Sequence, residues 1–254
     1  MPTPFMHLAI AEQVQERLRP DGQNGRLATL LSQNWSPFYL GSVVPDLSAI
    51  SDVAREATHF YKIPIPPDVH AVPEMLAANP ELADVASLTP EHAVFIAGYS
   101  AHLLLDVIWL REIVYPFFVI HDSWSDQQSR RVAHFILLTY FDQHDRRALP
   151  KTADRILAAA QSNNWLPFAP DDAINRWQAM LVEQLHPGAP SETINIYAER
   201  VGMTPTHFAA SLNDPDWMAD QVFGKIPVDQ VRAVLQTAVP RTIDLINDYL
   251  APIL

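Results

Sequence analysis

The run Phe95-Ile-Ala-Gly-Tyr-Ser-Ala-His-Leu-Leu-Leu-Asp-Val-Ile-Trp-Leu110 is apolar almost throughout, and its two ionisable members, His102 and Asp106, stand four residues apart. Its length favours a helix over a strand, and on a helix positions i and i+4 leave the same face. With apolar side chains on every side, such a helix belongs in a protein core. An imidazole and a carboxylate buried together are costly unless something pairs them. A divalent cation does so by accepting lone pairs from both; a hydrogen-bonded couple without metal is the plainer alternative.

Outward from this run, apolar spacing near 3.6 predicts helices over Pro4 to Arg19, Gly25 to Gln33, Pro90 to Leu110, Ser125 to Tyr140, Lys151 to Gln161, Asp171 to Gln184, Ser191 to Val201, Pro205 to Leu212, Asp214 to Phe223 and Val228 to Tyr249. No segment alternates as a half-buried strand does, so the class is all-α. Thr3 before Pro4, Thr89 before Pro90, and Ser125 with Gln128 three residues on match cap and first-turn preferences. Residues 64–73, rich in proline, read as an irregular connector, and Ala148 to Lys151 as a softer seam. The expected organisation is a metal-binding helical region over 1–147 and a helical extension over 148–254, packed together as one continuous domain. The second part is expected to act as scaffold or lid.

The 254 residues, 48% of them hydrophobic, suffice for a substantial core. Seventeen basic against 29 acidic residues give a net charge of −12, which repels polyphosphate backbones and argues against stable nucleic-acid binding. With no cysteine and 10 histidines, disulfides, thiolate nucleophiles and cysteine-bound zinc are excluded, leaving histidine and carboxylate as metal ligands. The first residues resemble no secretory signal, so a cytoplasmic location is expected. Residues 93–120 are long enough to span a membrane but carry His102, Asp106, Arg111 and Glu112, which fits a core helix instead of a transmembrane segment.

Polar ligands in apolar surroundings recur in the first half: His7 in the first helix, Asp46 after Gly41-Ser-Val-Val-Pro45, His59 in Ala57-Thr-His-Phe60, and the His102/Asp106 pair. Pro45 fixes its own φ and restricts the residue before it, so Asp46 leaves a stiff turn at a defined angle. This order of motifs, with Gly98 to Asp106 as the last, resembles the zinc-dependent phospholipase C family over roughly residues 1–140. The resemblance implies an all-helical phosphoesterase of the phospholipase C and zinc nuclease type, holding one to three Zn²⁺ ions. It implies that Asp46, His59, His102 and Asp106 hold the first zinc, and that Asp106 reaches a second beside His7. It also makes Asp46 the acceptor of a proton from the attacking water. His121 and His134 have nearly the spacing of the family's third site, but Leu138 stands where a glutamate is needed; Asp142, His144 and Asp145 lie close enough in sequence to substitute.

The substrate class implied is a small phosphate ester, with lipid head groups and nucleotides equally compatible, and nothing in the sequence fixes an oligomeric state. Two other readings compete. His121-Asp122 matches the His-Asp pair of the HD phosphohydrolases, with His92 or His59 upstream. Leu138 favours a metal-stabilised scaffold that has lost catalysis. Trp35, Tyr39, Trp109, Tyr115, Phe117, Phe118 and Trp124 are candidates for a cleft wall, with burial in the core as the commoner fate of such residues.

Overall fold

The computed structural model describes residues 1–22, 24–65, 70–121 and 123–254. Its described residues form helices α1 Pro4–Arg17, α2 Gly25–Gln33, α3 Trp35–Gly41, α4 Arg55–His59, α5 Ala71–Ala78, α6 Pro80–Ala83, α7 Pro90–Trp109, α8 Gln127–Ala148, α9 Ala153–Ala159, α10 Asp171–Leu185, α11 Thr193–Arg200, α12 Pro205–Asn213, α13 Pro215–Met218 and α14 Val228–Leu250. No strand occurs among them, so the chain is all-α.

α7 is the central element. Thr89 caps it by accepting from the His92 N–H, and Pro90 occupies the first turn, where its missing N–H costs nothing. Beyond Trp109 the helix continues as a widened π segment, Leu110–Val119, which accommodates Pro116. Residues Pro90–Val119 are long and apolar enough to cross a membrane by length and composition, yet 94% of the most apolar window is buried within the protein. α3 packs on one side of α7, and α14 lies against both α7 and α1.

The contact between α3 and α7 depends on two glycines. A Cβ on Gly41 would stand 2.1 Å from the Phe95 carbonyl oxygen, and one on Gly98 would stand 2.3 Å from that of Phe38. Only the missing side chains let the two backbones approach so closely. This close crossing sets the next residues of the chain, Ser42 and the turn Val44–Ala49, against the His102 face of α7.

Two apolar clusters make the core. The larger joins α1, α2, α3, α7, α9, α10 and α14 through residues such as Leu8, Phe38, Leu103, Leu157, Ile174 and Ile246. The smaller joins Met6, Trp109 and Ile113 to Ile136, Leu138 and Phe141 of α8 and to Phe208 and Val222 further on. Each draws residues from both sides of the seam at 148–151, which is a short link between α8 and α9.

Several boundaries differ from the sequence expectation. α8 begins after Asp126, whose carboxylate and Ser129 form the capping box, not after Ser125, and it runs on to Ala148 because Phe141 and Asp142 are buried. Trp35–Gly41, Arg55–His59 and Pro80–Ala83 are helices too short for a periodic signal. Val72 and Pro73, expected in the connector, lie inside α5, while residues 66–69 of that connector lie outside the described residues.

Candidate metal centre

His7, His59, His102 and Asp106 are all buried, at 3%, 0%, 1% and 0% exposure. They come from α1, the last turn of α4 and the middle of α7, and Asp46 joins them from the turn after α3. His59 Nε2 lies 3.3 Å from Asp106 Oδ2 and 3.5 Å from Asp46 Oδ1. His102 Nε2 lies 3.7 Å from Asp106 Oδ2 and 4.0 Å from Asp46 Oδ1. A tetrahedral zinc with bonds near 2.0–2.1 Å separates its ligand atoms by about 3.3 Å; ligand atoms of His59, His102 and Asp106, and likewise of His7, Asp46 and His102, lie within 4.8 Å of one another, so modest closing would bring each group around an ion. The other oxygen of Asp106, Oδ1, faces His7 Nε2 at 3.5 Å. Asp106 thus turns one oxygen to His7 and the other to His59 and His102.

The imidazoles of His102 and His59 are held by their back edges. His102 Nδ1 donates to the Ser42 carbonyl at 2.9 Å, which leaves the Nε2 lone pair pointing into the cluster. Thr58 Oγ1 gives its proton to the Arg55 carbonyl at 3.0 Å and stands 2.9 Å from His59 Nδ1, so it accepts from the ring. Tyr99 anchors this end of α4 by donating to the Thr58 carbonyl at 2.5 Å. His7 and His102 stack face to face, with ring centroids 3.6 Å apart and planes 7° apart. Phe60, just after His59, adopts φ 60, a left-handed conformation that is rare for a bulky residue and that ends α4.

The donors fit a metal ion. Nε2 of His7, His59 and His102 and Oδ1 of Asp106 are buried without a hydrogen-bond partner. Such orphaned groups are costly, and a cation satisfies all of them together. Electrostatics agree with a cation-seeking set. Burial holds His102 in its neutral form, with its pKa lowered to about 3, and His7 beside it adds to that effect. Burial pushes the Asp46 carboxyl up, but His102 and His59 outweigh it and hold its pKa down at about 2. Burial opposes the charge on His59, yet the carboxylates of Asp106 and Asp46 beside it outweigh burial and raise its affinity for a proton. In the absence of metal, that proton partly takes the cation's place.

The remaining candidates do not join this cluster, although His134 lines the cavity beside it. His121 is exposed and bonds to Ser123 Oγ at 2.8 Å. His134 is half-buried, and its Nε2 accepts from the Trp109 indole at 3.2 Å, which spends the lone pair a metal would need. Leu138 is fully buried in the smaller core. His144 projects into solvent beside Asp145, and Asp142 is buried against Ser191. The described residues therefore assemble no third site from His121 and His134, nor from the acids after Tyr140. Asp122 of the HD-type reading lies outside the described residues; of the histidines that reading offers upstream, His92 bonds to the Trp165 carbonyl at 2.8 Å and His59 belongs to the cluster above.

Beside the cluster opens a cavity of about 590 Å³ whose wall includes Asp46, Arg55, Phe5, Trp177 and Tyr197. None of the aromatic residues singled out in the sequence lines it: Trp35, Tyr39, Trp109 and Phe118 are core, and Tyr115 is exposed. The far wall comes from α10 and α11, and Trp177 of α10 donates to the Val43 carbonyl at 2.8 Å, steadying the turn that carries Asp46. No motif in the sequence marks Arg55 or Tyr61 as site residues, yet Tyr61 donates to Asp106 Oδ2 at 3.0 Å and Arg55 Nη2 lies 3.5 Å from the same oxygen. The spacing of four between Arg55 and His59 was the available signal.

An all-helical chain with a buried His/Asp cluster around a two-faced carboxylate has the make-up of a helical metal-binding protein. Residues 6–186, more than half of the chain, match the family described as zinc dependent phospholipase C, and the chain belongs to that family. The match extends past the roughly 140 residues of the motif resemblance and takes in α9 and α10. Comparison with curated proteins and with solved structures finds no match.

Proposed function

We propose that the chain is a zinc-dependent phosphoesterase that hydrolyses a small phosphodiester or phosphomonoester, such as a lipid head group or a nucleotide. One observation carries this: inward-turned, unpartnered lone pairs on a His/Asp cluster lie directly behind a cavity, and of the five proposed ligands only Asp46 forms part of its wall. Asp46, His59, His102 and Asp106 would hold one ion, and His7 with Asp106 Oδ1 a second. Zinc held there supplies Lewis acidity at a phosphoryl oxygen and a water acidic enough to attack near neutral pH.

The chain's own residues do the rest. Asp46, 21% exposed, faces the side from which a substrate enters. Its carboxylate would accept a hydrogen bond from the attacking water and orient it, relaying the water's proton to the departing ester oxygen. Ser42 and Thr58 fix the two imidazoles, and Tyr61 fixes the carboxylate between them. The apolar wall formed by Phe5, Leu110, Val114 and Leu181 suits an ester with an apolar group and limits water on that side.

Zinc-loaded protein should hydrolyse bis(p-nitrophenyl) phosphate or p-nitrophenyl phosphate, and His102→Ala should lose both bound zinc and turnover. Unchanged values for the two would refute the proposal. Zinc uptake without turnover of either ester points instead to the binding-scaffold reading, which the unassembled third site favours.

A further inference from the structure

We infer that Arg55 marks a phosphate-binding subsite of the cavity, its guanidinium neutralising the charge of a phosphate held beside the cluster; this rests on the hydrolase reading above. Arg55 is four residues before His59, so α4 presents both on one face. It reaches the cavity wall together with Asp46 and is 27% exposed. Its Nη2 donates to the Tyr61 hydroxyl at 2.8 Å and lies 3.5 Å from Asp106 Oδ2, while the guanidinium sits 4.9 Å from the centre of the Tyr61 ring. Both hydrogen bonds leave from one nitrogen. Nη1 and Nε carry three more N–H donors in a planar fork that matches two oxygens of a phosphate.

Electrostatics gives this placement a purpose. A cation bound to Asp106 already neutralises that carboxylate, and a guanidinium beside the cation is then repelled unless an anion lies between them. A phosphate in the cavity is such an anion. Arg131 and Arg200 also line the cavity, but they are exposed, and Arg131 spends a donor on the Arg200 carbonyl at 2.8 Å. Of the three arginines, only Arg55 touches a member of the metal-ligand set.

The test uses zinc-loaded wild type, Arg55→Gln and Arg55→Lys, reading bound zinc per chain, orthophosphate affinity by calorimetry, and kcat and KM on bis(p-nitrophenyl) phosphate. Arg55→Gln should keep its zinc, bind orthophosphate at least tenfold more weakly, and lose about 10²–10³-fold in kcat/KM, as expected for a lost charge-stabilising donor. Arg55→Lys, which keeps the charge without the fork, should fall between the two. Wild-type phosphate affinity and turnover in Arg55→Gln would overturn the inference, as would loss of zinc in step with activity, which would make Arg55 only a support for Asp106. If Arg55→Gln does not fold, Arg55→Lys decides alone: weaker phosphate binding at full zinc supports the subsite, and unchanged binding overturns it. Wild type that holds zinc yet turns over no ester fails the hydrolase reading, whereas an active wild type matched by active variants fails only the assignment of Arg55.

Discussion

Gly98→Ala adds a single methyl group, and the structure sets its cost. The new Cβ would meet the Phe38 carbonyl oxygen at 2.3 Å, where ordinary contact begins near 3.4 Å, so α3 and α7 must part by about 1 Å. Forced overpacking of this kind costs about 1–3 kcal/mol, towards the upper end here because the obstacle is backbone and not a flexible side chain. For a chain of this size that corresponds to a fall in Tm of roughly 2–6 °C. The same displacement pulls the Ser42 carbonyl from His102 Nδ1, now at 2.9 Å, and shifts the turn bearing Asp46. Losing such a supporting bond weakens metal binding by about 10–100-fold. Thermal unfolding in chelator gives the first quantity, and competition titration with a chromogenic zinc chelator gives the second. Wild-type values for both in Gly98→Ala would refute the argument that close approach of these two helices builds the site.

Stripping zinc with a chelator should lower Tm, because the orphaned nitrogens of His7, His59 and His102 stay buried; zinc at a hundred times its Kd adds about 2.7 kcal/mol, seen in a thermal scan with and without metal. His121→Ala should leave bound zinc and Tm unchanged, since the residue is exposed and outside the cluster; a lost equivalent of zinc by elemental analysis would contradict this. Burial pushes the Asp142 carboxyl up to about 6 from its ordinary 3.8, so the folded chain holds this proton more tightly than the unfolded one. The resulting stability is present below pH 3.8 and is lost as pH rises through 6. Asp142→Asn should therefore match wild type in urea unfolding at pH 4 and exceed it by about 2–3 kcal/mol at pH 8.

The all-α class and most long helices are legible in the sequence because apolar periodicity and N-terminal capping agree along them. His102 and Asp106 stand out for the same reason: two polar groups on a helix apolar all round. Asp46 is marked by Pro45 and His59 by its aromatic neighbours, although neither spacing shows that the two would meet α7. That meeting depends on Gly41 and Gly98 facing each other across 57 residues of chain, a tertiary fact no local pattern contains. Arg55 and Tyr61 escape notice because an arginine and a tyrosine in a polar segment are ordinary until Asp106 is placed beside them. The cavity wall is equally hidden, since Trp177 and Tyr197 reach the site from the half of the chain that carries none of the ligand motifs. The His121/His134 spacing misleads in the opposite way, because the Trp109 indole claims His134 Nε2 and leaves His121 without a partner histidine.

Anomalous diffraction at the zinc edge from crystals grown with Zn²⁺ tests the central claim most directly. A strong peak is expected among Asp46 Oδ1, His59 Nε2, His102 Nε2 and Asp106 Oδ2, with any second peak between His7 and Asp106 Oδ1. An empty cluster, or a peak only at His121 or His134, would contradict it.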